Sequence, residues 1–310
     1  MIDIQGATMA LDELRPYTTI AAILITWLIF YLWKSEKKQD NSSFFQQKWT
    51  MNEVVALFMI VAVYDHFLIG TLFELKPKFS LWLGLWFSSH LLYFLSVWLF
   101  LRFIGQSFAT VGLSSQQAGH LILIGLEWVL GGIFLTSLVG IWLSDANPLA
   151  FVDSGSSGYE AYAARNGWLV AAILYFSQAA WMAFFTGLTE EIEFRGLLYG
   201  ALRTKLSPRP AMTINALCFM AAHAEISLLL FLLGLLASWL VEQHRSLIPA
   251  VTFHVGWNFF VGIQGWFLGV LKIDPTTYFQ SRAFLILISL GVVHLSRIML
   301  KGKREQANFK

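Results

Sequence analysis

Apolar runs about as long as a bilayer is thick recur along this chain, and their repetition restricts the fold more than any other feature. They fall at about 18–33, 52–73, 80–101, 119–143, 167–188, 210–224, 226–241, 247–268 and 282–300. Inside hydrocarbon the backbone must satisfy its own hydrogen bonds, so runs of this length read as membrane-spanning helices. Charged residues make up only 13% of the chain, whereas a soluble domain carries roughly 25%. The expected fold is all-α, a polytopic transmembrane helix bundle of about eight to nine spans. Runs 210–224 and 226–241 are short for complete spans and are parted only by His223-Ala224-Glu225. A tilted, partial or joined pair is expected there.

Basic residues between the runs predict orientation. Of the 21 Lys and Arg residues, 15 lie on the side that holds the C-terminal tail and the basic segment 34–50, and 6 lie on the other, Arg282 among them. This bias predicts an outside N-terminus and a cytoplasmic C-terminus. Residues 144–166, with Asp153-Ser154-Gly155-Ser156-Ser157-Gly158, read as a loose external loop. The first residues carry Asp3, Asp12 and Glu13 against Arg15, the reverse of a cleavable signal. A single cysteine, Cys218, excludes an intrachain disulfide and a cysteine metal cluster. With no cation beside it to lower its pKa, it reads as buried filler rather than a nucleophile.

Ionisable groups at membrane depth cost on the order of 2.5–3.5 kcal/mol each, so they mark function. They concentrate between Thr189 and Asn258. In Glu190-Glu191-Ile192-Glu193-Phe194-Arg195, Glu191 and Arg195 stand at i,i+4 and can pair on one helix face. That leaves Glu190 turned elsewhere as a candidate general base. Glu193 reads as solvated or interfacial. Phe219 and His223 share a face four residues apart, as do His254 and Asn258. Taken singly, the first motif is an interfacial charge cluster and each histidine is polar glue between helices. Three segments that each bring hydrolytic residue types to one face make a coincidence of bland causes less economical. Glu127, well inside a span, needs a partner or supports the site from behind; His66, His90 and His294 read as packing or interface residues. Zincin-type His-Glu-x-x-His and Gly-x-Ser-x-Gly do not occur.

In this order on membrane helices, Glu190-Glu191-x-x-x-Arg195, Phe219-x-x-x-His223 and His254-x-x-x-Asn258 resemble the CPBP family of CAAX proteases and bacteriocin-processing enzymes, the Abi family, which includes the Ras-converting type II CAAX prenyl endopeptidases. The resemblance covers about 165–268. It implies an intramembrane endopeptidase in which Glu190 and His223 activate water. Glu191 and Arg195 orient, Phe219 supports, and His254 with Asn258 stabilises the oxyanion. A cofactor is either absent or Zn²⁺, with Glu190, His223 and His254 as candidate ligands; if Arg195 holds Glu191, few strong ligands remain for a closed site. The implied substrate is a membrane-embedded or lipidated protein or peptide, cut near its C-terminus or leader. The implied partners are that substrate and the lipid bilayer, with no nucleic acid, and the implied setting is a bacterial plasma membrane.

The expected division is an N-terminal transmembrane helix and basic linker at 1–50, core helices at 51–165, a catalytic core at 166–300 and a basic cytoplasmic tail at 301–310. A proton- or ion-coupled transporter using Glu127, Glu190, His223 and His254 is the alternative from another class, and a non-catalytic immunity or scaffold protein of the same fold is the third. Transporters of that kind carry inverted repeats and Gly/Pro-broken helices; no such repeat is seen, and proline numbers 7.

Overall fold

A computed structural model describes residues 49–63, 79–113, 118–146, 157–223 and 227–308. The expected first span at 18–33 and almost all of the basic linker lie outside the described residues. Within them the chain is helical, with no strand. In order come α1 (Met51–Val63), α2 (Phe79–Phe103), α3 (Ala118–Ala146), α4 (Ser157–Asn166) and α5 (Trp168–Glu190). A π-helical segment, Glu191–Leu198, follows directly, then α6 (Tyr199–Arg203), α7 (Pro208–Ala222), α8 (Leu228–His244) and α9 (Ile248–Gln264). A second π segment, Gly265–Val270, precedes α10 (Pro275–Asn308).

Among the described residues, four stretches of helix are long and apolar enough to cross a membrane: Leu83–Phe103, Ala118–Leu138, Trp168–Arg203 and Pro275–Met299. Their outer faces carry large apolar side chains turned outward, such as Leu135, Leu169 and Phe284 at 62%, 74% and 65% exposure. Faces of that kind fit lipid rather than water. Helices α1 and α8 are apolar but shorter. The polar stretch read as a loose loop contains a real helix, α4. Its Tyr159 is buried against Tyr175 at 4.8 Å between ring centroids, and its Glu160 pairs with Lys272 at 2.9 Å. Serine and glycine punctuation hid a helix that long-range contacts hold.

The chain forms two compact units, Met1–Ser115 with Thr189–Ala250, and Gln116–Leu188 with Val251–Lys310. In the first unit, α7 and α8 approach closely because both present small residues. A Cβ on Gly234 would sit 3.0 Å from the Ala216 Cα. Asn215, fully buried on α7, donates from Nδ2 to the Phe194 carbonyl at 2.6 Å and accepts from the Ser238 hydroxyl of α8 at 3.0 Å. It joins both helices to the π segment. Below this, Glu242 of α8 accepts from the Tyr199 hydroxyl at 2.8 Å and from Arg203 Nε at 3.2 Å. Arg245, at φ 52°, ends α8 in the left-handed region, and Leu247 then donates its N–H to the Gly112 carbonyl at 2.9 Å.

In the second unit α3 and α10 run antiparallel, since Arg282 meets Ser137 while Arg297 meets Glu127. Arg282 is not the outer-loop charge that the basic-residue count made it. It is buried within α10, donating to Ser137 Oγ at 2.7 Å and Gln264 Oε1 at 2.8 Å, with its guanidinium 4.7 Å from the Phe279 ring centre. Gly187, Gly256 and Gly262 let helices close up here: a Cβ on them would meet the Val255 nitrogen at 3.0 Å, Val129 at 3.0 Å and Ala179 at 2.9 Å.

Candidate active site

Glu190 is the last residue of α5, at the point where α-helical bonding gives way to the π segment. Single-turn widenings of this kind are rare and recur at functional sites. All eight residues from Glu191 to Leu198 are buried, so the segment carries two carboxyls, Glu191 and Glu193, and the Arg195 guanidinium into the interior of the first unit.

Two of these charges close on each other. Arg195 Nη1 donates to Glu191 Oε1 at 2.8 Å, with 1% and 0% of the two side chains exposed. Arg195 also donates to the Gly234 carbonyl at 3.3 Å, and its guanidinium lies 4.2 Å from the centre of the Phe219 ring. The i,i+4 pairing predicted for Glu191 and Arg195 is present in geometry. Phe219 acts as a plate between this pair and His223, whose ring centre is 4.6 Å from its own.

Glu190 and His223 are placed differently. Their Oε2 and Nε2 atoms stand 3.8 Å apart, with 14% and 32% of the side chains exposed. That separation is too long for a direct hydrogen bond, and the facing Glu190 Oε2 is shielded from solvent, so a water bridging the two requires them to part slightly. His223 Nδ1 lies 2.8 Å from the Phe219 carbonyl. A carbonyl only accepts, so Nδ1 carries the hydrogen, and in the neutral imidazole Nε2 presents a bare lone pair on the Glu190 side. The pair therefore offers two acceptors to a single water.

Glu193 corrects an expectation. It is neither solvated nor interfacial: it is 1% exposed and accepts a 2.6 Å hydrogen bond from the Tyr93 hydroxyl of α2. Spacing within the motif could not reveal this, because the partner lies 100 residues away in sequence. The pattern Glu-x-x-Glu at the end of a span was the available signal.

His254 is buried and Asn258 half-buried, one turn apart on α9 in the second unit. Glu127, also in the second unit, is held by Arg297 and by His294 Nδ1 at 3.2 Å, so its partners are local to α10. His294, read as a packing or interface residue, is one of those two partners. Asp65 and His66 lie outside the described residues. Among the described residues no group of three or more His, Cys, Asp or Glu side chains is arranged to hold a metal ion. Catalytic zinc takes three protein ligands. One carboxylate and one imidazole at 3.8 Å fall short of that set.

Compared with known proteins, residues 164–260 match the family described as Type II CAAX prenyl endopeptidase Rce1-like. The matched stretch holds Glu190, Glu191, Arg195, Phe219, His223, His254 and Asn258. The match is consistent with a CPBP/CAAX protease and, with the apolar helices, supports a membrane-integral protease. No curated protein and no solved structure matches the chain significantly.

Proposed function

We propose, from the Rce1-like family match over residues 164–260, that this protein is an intramembrane endopeptidase whose attacking water is activated between Glu190 and His223. The observation that carries the reading is a contrast inside one motif. Glu191 and Arg195 neutralise each other away from solvent, while Glu190 and His223 stay partly open at 3.8 Å.

In this reading water donates one hydrogen to Glu190 and the other to His223 Nε2. Glu190 takes the proton as the water oxygen attacks the scissile carbonyl carbon. The C–N bond then breaks and the proton passes to the leaving nitrogen. His254 and Asn258 donate to the developing oxyanion. The Glu191–Arg195 pair and Phe219 hold the π segment and the imidazole in register. The catalytic core is assigned to 166–300, with 1–50 an N-terminal addition. The substrate is a prenylated C-terminal tail of a membrane-associated protein, met in a bacterial plasma membrane with this chain's C-terminus in the cytoplasm.

The test is cleavage of a farnesylated C-terminal peptide, beside its unprenylated twin, by the purified full chain. Glu190→Ala, His223→Ala and His254→Ala should each lower turnover by at least about 100-fold while the protein stays in the membrane fraction. Near wild-type cleavage by Glu190→Ala overturns the assignment. Because the donor set falls short of a zinc site, a strong chelator should leave the rate within about twofold.

A further inference from the structure

We propose that the C-terminal end of α2 carries a phospholipid site, in which Arg102 takes the phosphate and Gln106 the ammonium of a phosphatidylethanolamine headgroup. The site lies wholly within the first unit and needs nothing from the hydrolase reading.

Local sequence builds the pocket. Gly105, at φ 69°, takes the left-handed conformation just past the helix. Gln106 then donates its N–H to the Leu101 carbonyl at 2.8 Å, and Gly105 donates to the Arg102 carbonyl at 3.1 Å, the two bonds of a Schellman motif. This closure folds Gln106 back over the last turn of α2. A reciprocally closed turn follows, with Ser107 N–H donating to Thr110 Oγ1 at 3.0 Å and Thr110 N–H to Ser107 Oγ at 3.4 Å. Phe108 stacks on Phe94 at 6.0 Å and ties that turn to α2. The crook between them holds a cavity of about 110 Å³ lined by Trp98, Leu101, Arg102, Gln106, Ser107 and Phe108. That is several times the roughly 30 Å³ share of one water.

Two of the lining groups are unmatched, and in opposite senses. Gln106 is 4% exposed, yet its Oε1 has no hydrogen-bond partner. Its Nε2 donates to the Ile104 carbonyl at 3.3 Å, which fixes the amide so that the orphan atom is the oxygen. A buried acceptor is costly until a donor reaches it. Arg102 is exposed, and among the described residues no carboxylate pairs with its guanidinium. An anion alone would answer Arg102 and leave Oε1 orphaned, and a cation alone would do the reverse. A phosphate with a primary ammonium two carbons away answers both.

The surroundings select a lipid as the source of that group. The cavity stands at the end of the membrane-crossing stretch Leu83–Phe103, the level at which tryptophan and basic residues meet headgroups. Trp98, Leu99 and Phe103 are exposed beside it, so acyl chains have an apolar flank to lie along. The headgroup then enters with its phosphate at the exposed Arg102 and its ammonium at the buried Gln106. A choline headgroup carries the same charges but has no N–H to give, and Gln106 therefore distinguishes the two lipids.

The test titrates delipidated full-length protein in detergent with dioleoyl phosphatidylethanolamine or dioleoyl phosphatidylcholine and counts retained lipid by native mass spectrometry. Gel filtration is the folding control. Wild type should bind the ethanolamine lipid about tenfold or more tightly than the choline lipid, the effect of one hydrogen bond to a charged donor. Gln106→Leu should bring the two within about twofold, whereas Arg102→Gln should weaken both by about threefold or more and keep their order. Equal binding of the two lipids by wild type, or an unchanged preference in Gln106→Leu, overturns the proposal. If Gln106→Leu aggregates, Gln106→Glu takes its place: a wider preference supports the ammonium contact, and an unchanged or narrower one overturns it. Free phosphoethanolamine is the last arm. Failure to displace the lipid at equal concentration supports a membrane source, and displacement there overturns it in favour of a soluble ligand.

Discussion

Glu190 and Glu191 are adjacent and chemically identical, yet their surroundings give them opposite work. Glu191 is sealed with Arg195, and removing one member of such a pair strands a buried charge at a cost of about 3–5 kcal/mol. Glu190 is partly open beside His223 at 3.8 Å. Glu191→Gln should therefore lower the melting temperature in detergent by many degrees, whereas Glu190→Gln should lower turnover at nearly unchanged melting temperature. Thiol-reactive fluorescence at the single Cys218 reads the unfolding. Arg195→Lys belongs to the first class. One ammonium cannot serve both Glu191 and the Gly234 carbonyl while lying flat on Phe219, so a loss of about 2 kcal/mol or more is expected. A wild-type melting curve for Arg195→Lys would remove the reason for treating this pair as structural.

At the scale of elements, close approach of backbones does what a hydrophobic drive cannot do inside lipid. The α7–α8 contact at Gly234 is the clearest case, because the atom a side chain would strike is backbone, the Ala216 Cα at 3.0 Å. Gly234→Ala should cost about 1–3 kcal/mol and Gly234→Leu more, by forcing the helices apart. Since Arg195 donates to the Gly234 carbonyl, the larger residue should also disturb the sealed pair. Gly84 on α2 supplies the contrast, with nothing within 4 Å of the position its Cβ would take. Gly84→Ala should be neutral or stabilising by up to about 1 kcal/mol. Equal melting temperatures for Gly84→Ala and Gly234→Ala would show that the contact carries no weight.

Across the whole molecule, each unit is tied by polar links between stretches distant in sequence. The second unit holds α3 to α10 by Arg282 with Ser137 and by Glu127 with Arg297 and His294. These side chains cannot be left alone in an apolar surround, so each member depends on the other. A double-mutant cycle of Glu127→Gln and Arg297→Gln should give a coupling of about 0.5–2 kcal/mol, held below the sealed-pair value because Arg297 is partly exposed. Additive losses would show that the two side chains meet without mutual stabilisation. Orientation is a prediction at this scale too: a reporter fused after Lys310 should be active only in its cytoplasmic form, as the basic-residue bias requires.

Helical periodicity and hydropathy were enough to read the helical class, the apolar helices within the described residues and the Glu191–Arg195 pairing, because each depends on neighbours within one turn or one span. Glu193, α4 and Arg282 were misread for one common reason. A buried carboxyl takes its meaning from a tyrosine 100 residues away, a polar helix from the lysine and tyrosine it packs on, and a basic residue from the serine opposite it on an antiparallel helix. Local spacing says which side chains share a face of their own helix. Only the tertiary structure decides what that face meets, and so whether a charge is solvated, sealed or left open to react.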